Sequence, residues 1–197
     1  SSLQTTRMAF HAIKAGEGDV FLSAGVETVS RFANGFADLP GSENPIFADA
    51  IARTAKRTEG GADKWTDPRE SGQYPDLYIT MGQTAENVAQ HLGMSRQEQD
   101  EFGVRSQNLA EAAIENGFWA KDITPVTLPD GTVVSTDDGP RAGVTLEAVS
   151  GLRPVFRPDG TVTAGNACPL NDGAAAVVIM SDTKAKELGL TPLARIV

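Results

Sequence analysis

Segment 161–181, TVTAGNACPLNDGAAAVVIMS, combines a reactive side chain with residues that shape a loop. It holds the only cysteine of the chain, Cys168, and a thiol is a potential nucleophile. Residues that adopt special backbone angles, or leave amides free to approach a ligand, surround it: Gly165, Asn166, Pro169, Asn171, Asp172 and Gly173. Residue types alone leave two interpretations equally open, a binding loop and a tight structural turn.

The other titratable residues form no recognisable catalytic or metal-binding pattern. His11 and His91 are the only histidines, and neither has a nucleophile or carboxylate at motif spacing, so both are predicted to be surface or packing residues. Asp137, Asp138 and Asp172 do not follow a metal-ligand spacing, and no metal site is expected. A solvated helix face is predicted for Glu98, Asp100, Glu101, Glu111 and Glu115.

Patterns at the two ends of the chain predict a layered α/β core. Apolar residues recur at helical spacing over 3–14, and 20–24 then has the character of a strand. Residues 177–180 form a continuous apolar run, which is typical of a strand covered on both faces. We expect these strands to be neighbours in a mostly parallel sheet, with the first helix buried against it. A last helix, 182–188, leads into a strand-like run at 193–197.

The sequence pattern in the middle of the chain predicts a long surface segment, helices and a hairpin. Residues 32–78 are rich in Gly, Pro, Asn and Asp and hold one helical stretch, 47–58, as a surface excursion would. Ser95 followed by Glu98 is a capping box that opens a longer helix. This helix is predicted to pack through Phe102, Leu109 and Ala113. A Pro-Asp-Gly turn inside 126–135 predicts a hairpin.

The composition is that of a globular chain and excludes several functions. With 197 residues, 40% of them apolar, the chain can hold one or two domains. Its net charge of −9 argues against a nucleic-acid groove. No stretch approaches the ~20 apolar residues of a membrane span, and a single cysteine excludes an intrachain disulfide framework. A cytoplasmic location is expected.

Five segments, in order along the chain, resemble the thiolases, acyl-CoA acyltransferases that make or cleave 3-ketoacyl-CoA. Segment 161–181 is similar to their TAGNxSxxNDGAAA motif, and DVFLSAGVETVSR (19–31) is similar to their strand ending in GGxESMS. MGQTAENVA (81–89) and 95–118 resemble helices of the family's loop domain. TLEAVSGLRPVF (145–156) resembles the short helix and turn that precede the motif.

The resemblance implies an α/β fold, the thiolase-like layered αβαβα sandwich, of which this chain would hold a part. It implies core segments at 1–31 and 161–197, with an inserted loop domain at 32–160. It also implies a homodimer or homotetramer assembled through the core, and no nucleic-acid partner.

The resemblance further implies a reaction and the place of its catalytic groups. Ser1-Ser2-Leu3-Gln4 is similar to the residues that follow the thiolase nucleophile, so this cysteine is expected about two residues before Ser1 and the base beyond Val197. The implied activity is acyl transfer between a cysteine thioester and CoA or acetyl-CoA. Coenzyme A or acyl-CoA is then a substrate, with no covalently bound cofactor. The chain alone would supply CoA binding and is expected to be inactive.

The resemblance assigns a surface to the CoA ester. Arg141 matches an arginine near the nucleotide, where a guanidinium stacks on adenine or pairs with phosphate; the alternative is a surface arginine in a mobile loop. Val149, Leu152 and Phe156 would form an apolar wall, although a short amphipathic helix packed on a core has the same spacing. Met81 resembles a residue that lines the acyl end. The pantetheine arm would run along Ala164, Gly165, Ala167, Cys168 and Leu170.

Three positions depart from the family pattern. Cys168 replaces a usual serine, and without a histidine partner it is interpreted as a CoA-contacting or packing residue instead of a nucleophile. Ala148 and Thr80 replace a serine and a histidine that are frequent in biosynthetic members, which favours a degradative member acting in β-oxidation. A non-catalytic acyl-CoA or lipid carrier on the same fold is the alternative. The residue about two positions before Ser1 would distinguish the two.

Overall fold

The structure is a computed structural model that describes residues 2–31 and 41–197. These residues form two compact units, one made of 2–31 and 170–197 and the other of 41–169. The domain boundaries expected after residues 31 and 160 stay a prediction about the family architecture.

Six α-helices and four strands lie within the described ranges. In chain order they are α1 (Ser2–Ala15), β1 (Val20–Glu27), α2 (Ala48–Thr58), α3 (Met81–Leu92), α4 (Arg96–Glu115), β2 (Val126–Thr127), β3 (Val133–Val134), α5 (Leu146–Ser150), β4 (Gly173–Met180) and α6 (Asp182–Glu187). None of these helices is long and apolar enough to cross a membrane.

The sheet of the first unit consists of β1 and β4. The expectation that these strands are neighbours is confirmed, but a parallel arrangement is wrong for this pair, whose antiparallel register runs from Val20 opposite Met180 to Glu27 opposite Gly173. Contacts at the end of β1 explain the direction of β4. The Ser30 N–H and hydroxyl donate to the two carboxylate oxygens of Asp172, at 2.8 and 2.6 Å. Because Asp172 immediately precedes β4, that strand begins where β1 ends.

Helix α1 packs on this sheet through small and polar residues. The hydroxyls of Thr5 and Thr6 hydrogen-bond the Ser23 hydroxyl of β1, at 2.7 and 2.9 Å, and Ser23 is 5% exposed. The expectation that both faces of β4 are covered is wrong for the described chain, because Val177 and Val178 are 51% and 62% exposed. The apolar run of β4 therefore marks an open apolar face on this unit.

The second unit confirms several local predictions. The helical stretch predicted at 47–58 is α2, whereas residues 32–40 of the predicted excursion lie outside the described residues. The capping box of α4 is present, because Ser95 Oγ accepts from the Glu98 N–H at 3.2 Å and Ser95 N–H donates to Glu98 Oε2 at 2.8 Å. The predicted hairpin is the antiparallel pair β2 and β3.

The packed face of α4 differs from the predicted one. Phe102 and Leu109 are 68% and 54% exposed, so the expectation that they pack inward is wrong within the described residues. The expectation of a solvated carboxylate face is wrong for Asp100, which is 1% exposed. Helix α4 faces polar partners, and polar side chains satisfy these better than apolar ones. Asp100 accepts from the Asn166 side chain, and Arg96 donates to the carbonyls of Val149 and Leu152.

The end of the chain also differs from its prediction. Helix α6 is confirmed at Asp182–Glu187, and Ser181 caps it by accepting from the Lys184 N–H at 3.1 Å. Residues 193–197, in contrast, are not a strand, and Leu193 is fully exposed. An apolar run forms a strand only beside a partner that completes its hydrogen bonds, and none of the described residues pairs with this run.

Candidate functional site

The turn 161–166 is closed by its own side chains. The Asn166 side-chain oxygen accepts from the Thr163 N–H at 2.8 Å, and its nitrogen donates to the Thr161 carbonyl at 2.9 Å. Thr163 is fully buried, and its hydroxyl accepts from the Gly165 N–H at 3.1 Å. An asparagine amide offers an acceptor and donors together, so Asn166 fixes the direction in which the chain leaves the turn.

A buried carboxylate of α3 holds the start of this turn. Glu86 is 2% exposed, and its Oε1 accepts from the N–H groups of Thr161 and Val162 at 2.9 and 2.8 Å. Its Oε2 lies 3.1 Å from the Thr161 hydroxyl, which donates to it. Burial of a carboxylate is unfavourable unless its oxygens are hydrogen-bonded. The Glu86 position therefore depends on the turn, and the turn depends on Glu86.

Amide side chains of α3 hold the segment that precedes the turn. Arg157 is 4% exposed, and it donates to Gln83 Oε1 through Nε at 2.7 Å and to Asn87 Oδ1 through Nη2 at 2.6 Å. Gln83 Nε2 donates to the Phe156 carbonyl at 2.6 Å. Burial lowers the pKa of Arg157 from its ordinary value, and the nearby Glu86 carboxylate opposes this shift.

Helix α4 binds the same turn through a second buried carboxylate. Asp100 Oδ1 accepts from Asn166 Nδ2 at 2.9 Å, and Asp100 Oδ2 accepts from Arg96 Nε at 2.7 Å. The Nη2 of Arg96 donates to the carbonyls of Val149 and Leu152, each at 3.0 Å. A charged pair on one helix thus reaches both the turn and the end of α5.

The same face of α4 continues beside the predicted ligand surface. A Cβ on Gly103 would lie 2.7 Å from the Gly165 carbonyl oxygen, so only glycine permits this approach of helix and turn. One turn further, Gln107 Oε1 accepts from the Arg141 N–H at 3.0 Å. Asp100, Gly103 and Gln107 follow one another at helical spacing. One face of α4 therefore contacts both the turn and the Arg141 loop.

Part of the predicted CoA surface is brought together by the structure. Val149 is 4% exposed and packs with Leu152 against Gly165, where an added Cβ would lie 2.7 and 2.8 Å from their side chains. The exposed residues that accompany this contact are Ala164, Ala167 and Cys168. Small exposed residues beside an apolar pair leave room for a thin ligand.

The remaining predicted residues lie at separate places. Phe156 is half-buried, and its ring covers Gly82, where a Cβ would overlap the ring. Met81 precedes that glycine at the start of α3 and is 79% exposed. The Arg141 side chain is exposed. Leu170 belongs to the first unit and is 72% exposed. A role of these residues in CoA binding stays a prediction.

The histidines pack against aromatic rings, and the cavities of the second unit have other linings. The ring of His91 packs edge-on against Trp65 at 5.8 Å between centroids, and His11 packs against Phe10 at 5.6 Å. Two open cavities of the second unit, of about 830 and 350 Å³, are lined by none of the predicted CoA-binding residues. Across residues 2–31 and 41–197, no group of three or more His, Cys, Asp or Glu side chains could hold a metal ion. The candidate surface is an open face.

Sequence reasoning missed the residues that hold the turn. These are Gln83, Glu86 and Asn87 of α3, Arg96 of α4, and Arg157. Two sequence signals could have indicated them. In α3, Glu86 and Asn87 follow Gln83 by three and four positions, so amides and a carboxylate share one helix face, which is typical of a face that binds backbone. In α4 the Arg96–Asp100 pair has the four-residue spacing of a helical ion pair.

Comparison with known proteins identifies the family. The model of the thiolase N-terminal domain matches residues 1–183. The chain therefore belongs to the thiolase family. It is 44% identical over 201 residues to the acetyl-CoA acetyltransferase of Cupriavidus necator, and the match covers all of this chain and 48% of that relative. The chain spans about half the length of the curated relatives it matches.

Solved structures confirm the expected fold class. The dimeric peroxisomal thiolase of Saccharomyces cerevisiae superposes with a TM-score of 0.74 at 34% identity, covering 99% of this chain and 44% of that one. Human mitochondrial 3-ketoacyl-CoA thiolase, solved in complex with CoA, superposes with a TM-score of 0.64 at 30% identity. That match covers 98% of this chain and 45% of the human one. The fold is thiolase-like α/β.

Proposed function

We propose that the protein containing this chain is an acyl-CoA acyltransferase of the thiolase type, and that this chain contributes part of the CoA-ester surface. The turn 161–166 carries the proposal. Two buried carboxylates, Glu86 and Asp100, hold it in one shape, the Val149 and Leu152 side chains pack against its Gly165, and exposed small residues follow it in the chain. Pantetheine is a thin ligand that needs close approach to backbone, and membership of the thiolase family supports this ligand.

The bond-making groups of the proposed reaction lie outside these 197 residues. A cysteine thiolate attacks the keto carbonyl of a 3-ketoacyl-CoA, the adjacent carbon–carbon bond breaks, and acetyl-CoA leaves as a carbanion that takes a proton from an acid. A second CoA thiol, deprotonated by a base, then displaces the cysteine and carries the acyl group away. Synthesis of acetoacetyl-CoA is the reverse. The present residues bind and orient the CoA ester in each step.

Finer features of the proposal rest on the resemblance. We propose a degradative member of β-oxidation, because Ala148 and Thr80 stand where biosynthetic enzymes often have serine and histidine. Homo-oligomer formation is supported by a yeast relative described as dimeric. The proposed location is the cytoplasm. A non-catalytic carrier on the same fold would bind CoA esters and not cleave them.

Arg141 gives the test. In the protein that contains this chain, Arg141→Ala should raise the KM for a CoA ester by about ten-fold while kcat changes little, because uniform binding is lost. The assay is CoA-dependent cleavage of acetoacetyl-CoA. Arg105→Ala is the matched control, because it removes another exposed arginine of this unit whose visible partner is Phe102. An unchanged KM would remove Arg141 from the site, and binding without cleavage by the unsubstituted protein would favour the carrier.

A further inference from the structure

We propose that the Arg96–Asp100 ion pair of α4 is the positioning device of the CoA surface, and that it holds the wall 149–152 and the turn 161–166 in one fixed arrangement. The inference rests on the proposed function, which supplies the ligand. Neither residue is assigned a contact with the CoA ester; Arg96 acts through the wall and Asp100 through the turn that it binds.

Asp100 binds the turn 161–166. It is 1% exposed, and both its oxygens are in use, one accepting from Asn166 at 2.9 Å and the other from Arg96 at 2.7 Å. Asn166 in turn closes the turn through Thr163 and Thr161. A carboxylate accepts at both oxygens, whereas an amide in its place presents an NH₂ group to one of the two donors. Asp100→Asn therefore breaks one link while it preserves shape.

Arg96 binds the wall 149–152. Its Nη2 donates to the carbonyls of Val149 and Leu152 at 3.0 Å, and the Ser150 carbonyl lies at 3.4 Å. Val149 belongs to the last turn of α5 and Leu152 follows that helix, whose C-terminal end attracts positive charge. The Val149 carbonyl also accepts from the Leu152 N–H at 3.0 Å. A guanidinium presents its donors in a fixed planar fork, so one side chain serves the carboxylate and the carbonyls together. A lysine ammonium cannot reproduce that geometry.

The ion pair therefore couples two segments that meet at Gly165. The side chains of Val149 and Leu152 already pack at van der Waals range on that glycine, and a displaced wall would open or close the space along the turn. When the pair is broken, both segments should loosen together, and the CoA ester should bind less tightly with little change in kcat.

A second ion pair of the same unit provides a matched control. Arg53 donates to Asp76 at 2.9 Å, and it also binds the Tyr74 carbonyl at 2.8 Å. Its side chain is 28% exposed, against 25% for Arg96. It thus resembles Arg96 in burial and in bonding, but it holds a segment far along the chain from the wall and the turn.

The experiment compares Arg96→Gln, Asp100→Asn, their double variant, Arg96→Lys and Arg53→Gln in the protein that contains this chain. Coenzyme A binding is measured by calorimetry, KM and kcat by acetoacetyl-CoA cleavage, and backbone order by hydrogen exchange of peptides covering 145–153 and 161–168. Arg96→Gln and Asp100→Asn should each raise the Kd for CoA and the KM by about ten-fold, with kcat nearly unchanged. The double variant should raise the Kd for CoA no more than the single variant with the larger effect does.

Hydrogen exchange distinguishes coupling of the two segments from a general loss of stability. Both peptides should lose protection in Arg96→Gln and in Asp100→Asn, and neither should in Arg53→Gln, which keeps the Kd although it lowers Tm. Arg96→Lys should stay folded, keep the turn protected through Asp100, and loosen only 145–153. An unchanged Kd in both Arg96→Gln and Asp100→Asn, or loss of protection in only one of the two peptides in either of these variants, would overturn the inference. Failure of the unsubstituted protein to bind CoA would instead overturn the proposed function.

Discussion

At the scale of single residues, Cys168 stands exposed just beyond the turn that Asn166 closes. The histidine of the same unit, His91, packs against the Trp65 ring. We therefore expect Cys168→Ser to keep kcat/KM within about two-fold, as exposed substitutions usually do. The comparison is Asn166→Ala, which removes the partner of buried Asp100 and should raise the KM by about ten-fold. Complete loss of activity in Cys168→Ser would show that its thiol takes part in catalysis.

The turn shows how far residue types can be interpreted without a structure. Gly165 and Asn166 mark it directly, because their backbone and hydrogen-bonding preferences are local. Glu86 and Asp100 could not be assigned, because they bind Thr161 and Asn166 across 75 and 66 positions of sequence. A carboxylate on a helix has the same local pattern whether it faces water or a buried backbone amide.

At the scale of elements, the capping box of α4 leads to a prediction about pH. Hydrogen bonds from the Ser95 N–H and hydroxyl hold the pKa of Glu98 below its ordinary value of 4.5. A lowered carboxylate pKa stabilises the folded state above the unfolded-state value, and this contribution is lost as pH falls through the folded-state value. Glu98→Gln should therefore lower Tm above about pH 5 and have a shrinking effect below pH 4.5.

Thermal melts of the protein that contains this chain, recorded between pH 3 and 7, check this expectation. Glu115→Gln is the control, because it removes a carboxylate of α4 that lies outside the capping box. If the Tm difference between the Glu98→Gln variant and the unsubstituted protein were the same at every pH, the hydrogen-bonded carboxylate would not be its cause.

The ends of elements were easier to predict than their packed faces. Ser95 and Glu98 define the start of α4 through contacts three residues apart, so sequence suffices. The inward face of α4 depends instead on what lies against it. Phe102 and Leu109 would face inward if the neighbour were apolar, but the neighbour is the polar turn, and Asp100 accepts from the Asn166 side-chain amide there. The direction of β4 similarly depends on a distant contact between Ser30 and Asp172.

At the scale of the whole molecule, the first unit carries an open apolar face. Leu22, Val26 and Val178 are 70%, 67% and 62% exposed. Apolar patches of this kind promote association when nothing covers them. We expect the 197-residue chain, expressed alone, to self-associate and to lack the cooperative melt of a monomer. We also expect no thiolase turnover, because the only thiol of this chain is Cys168, which we do not interpret as the nucleophile.

Sedimentation, calorimetric melting and an acetoacetyl-CoA cleavage assay on the 197-residue chain check these expectations. The paired replacement Val26→Thr and Val178→Thr, which leaves the second unit untouched, should reduce the association. A sharp two-state melt of a monomer would contradict the expected dependence on a covering partner. Measurable turnover would contradict the assignment of bond making to groups outside this chain.

The pairing of β1 with β4 determines when the sheet of the first unit can form during synthesis. All residues of the second unit are translated between these two strands, so β1 leaves the ribosome without its partner. At the usual speed of translation the roughly 150 intervening residues take about 10 to 30 s. The second unit is continuous in sequence and can fold during that interval, whereas β1 can pair with β4 only after it. Pairing of β1 with β4 is therefore a late event in the synthesis of this chain.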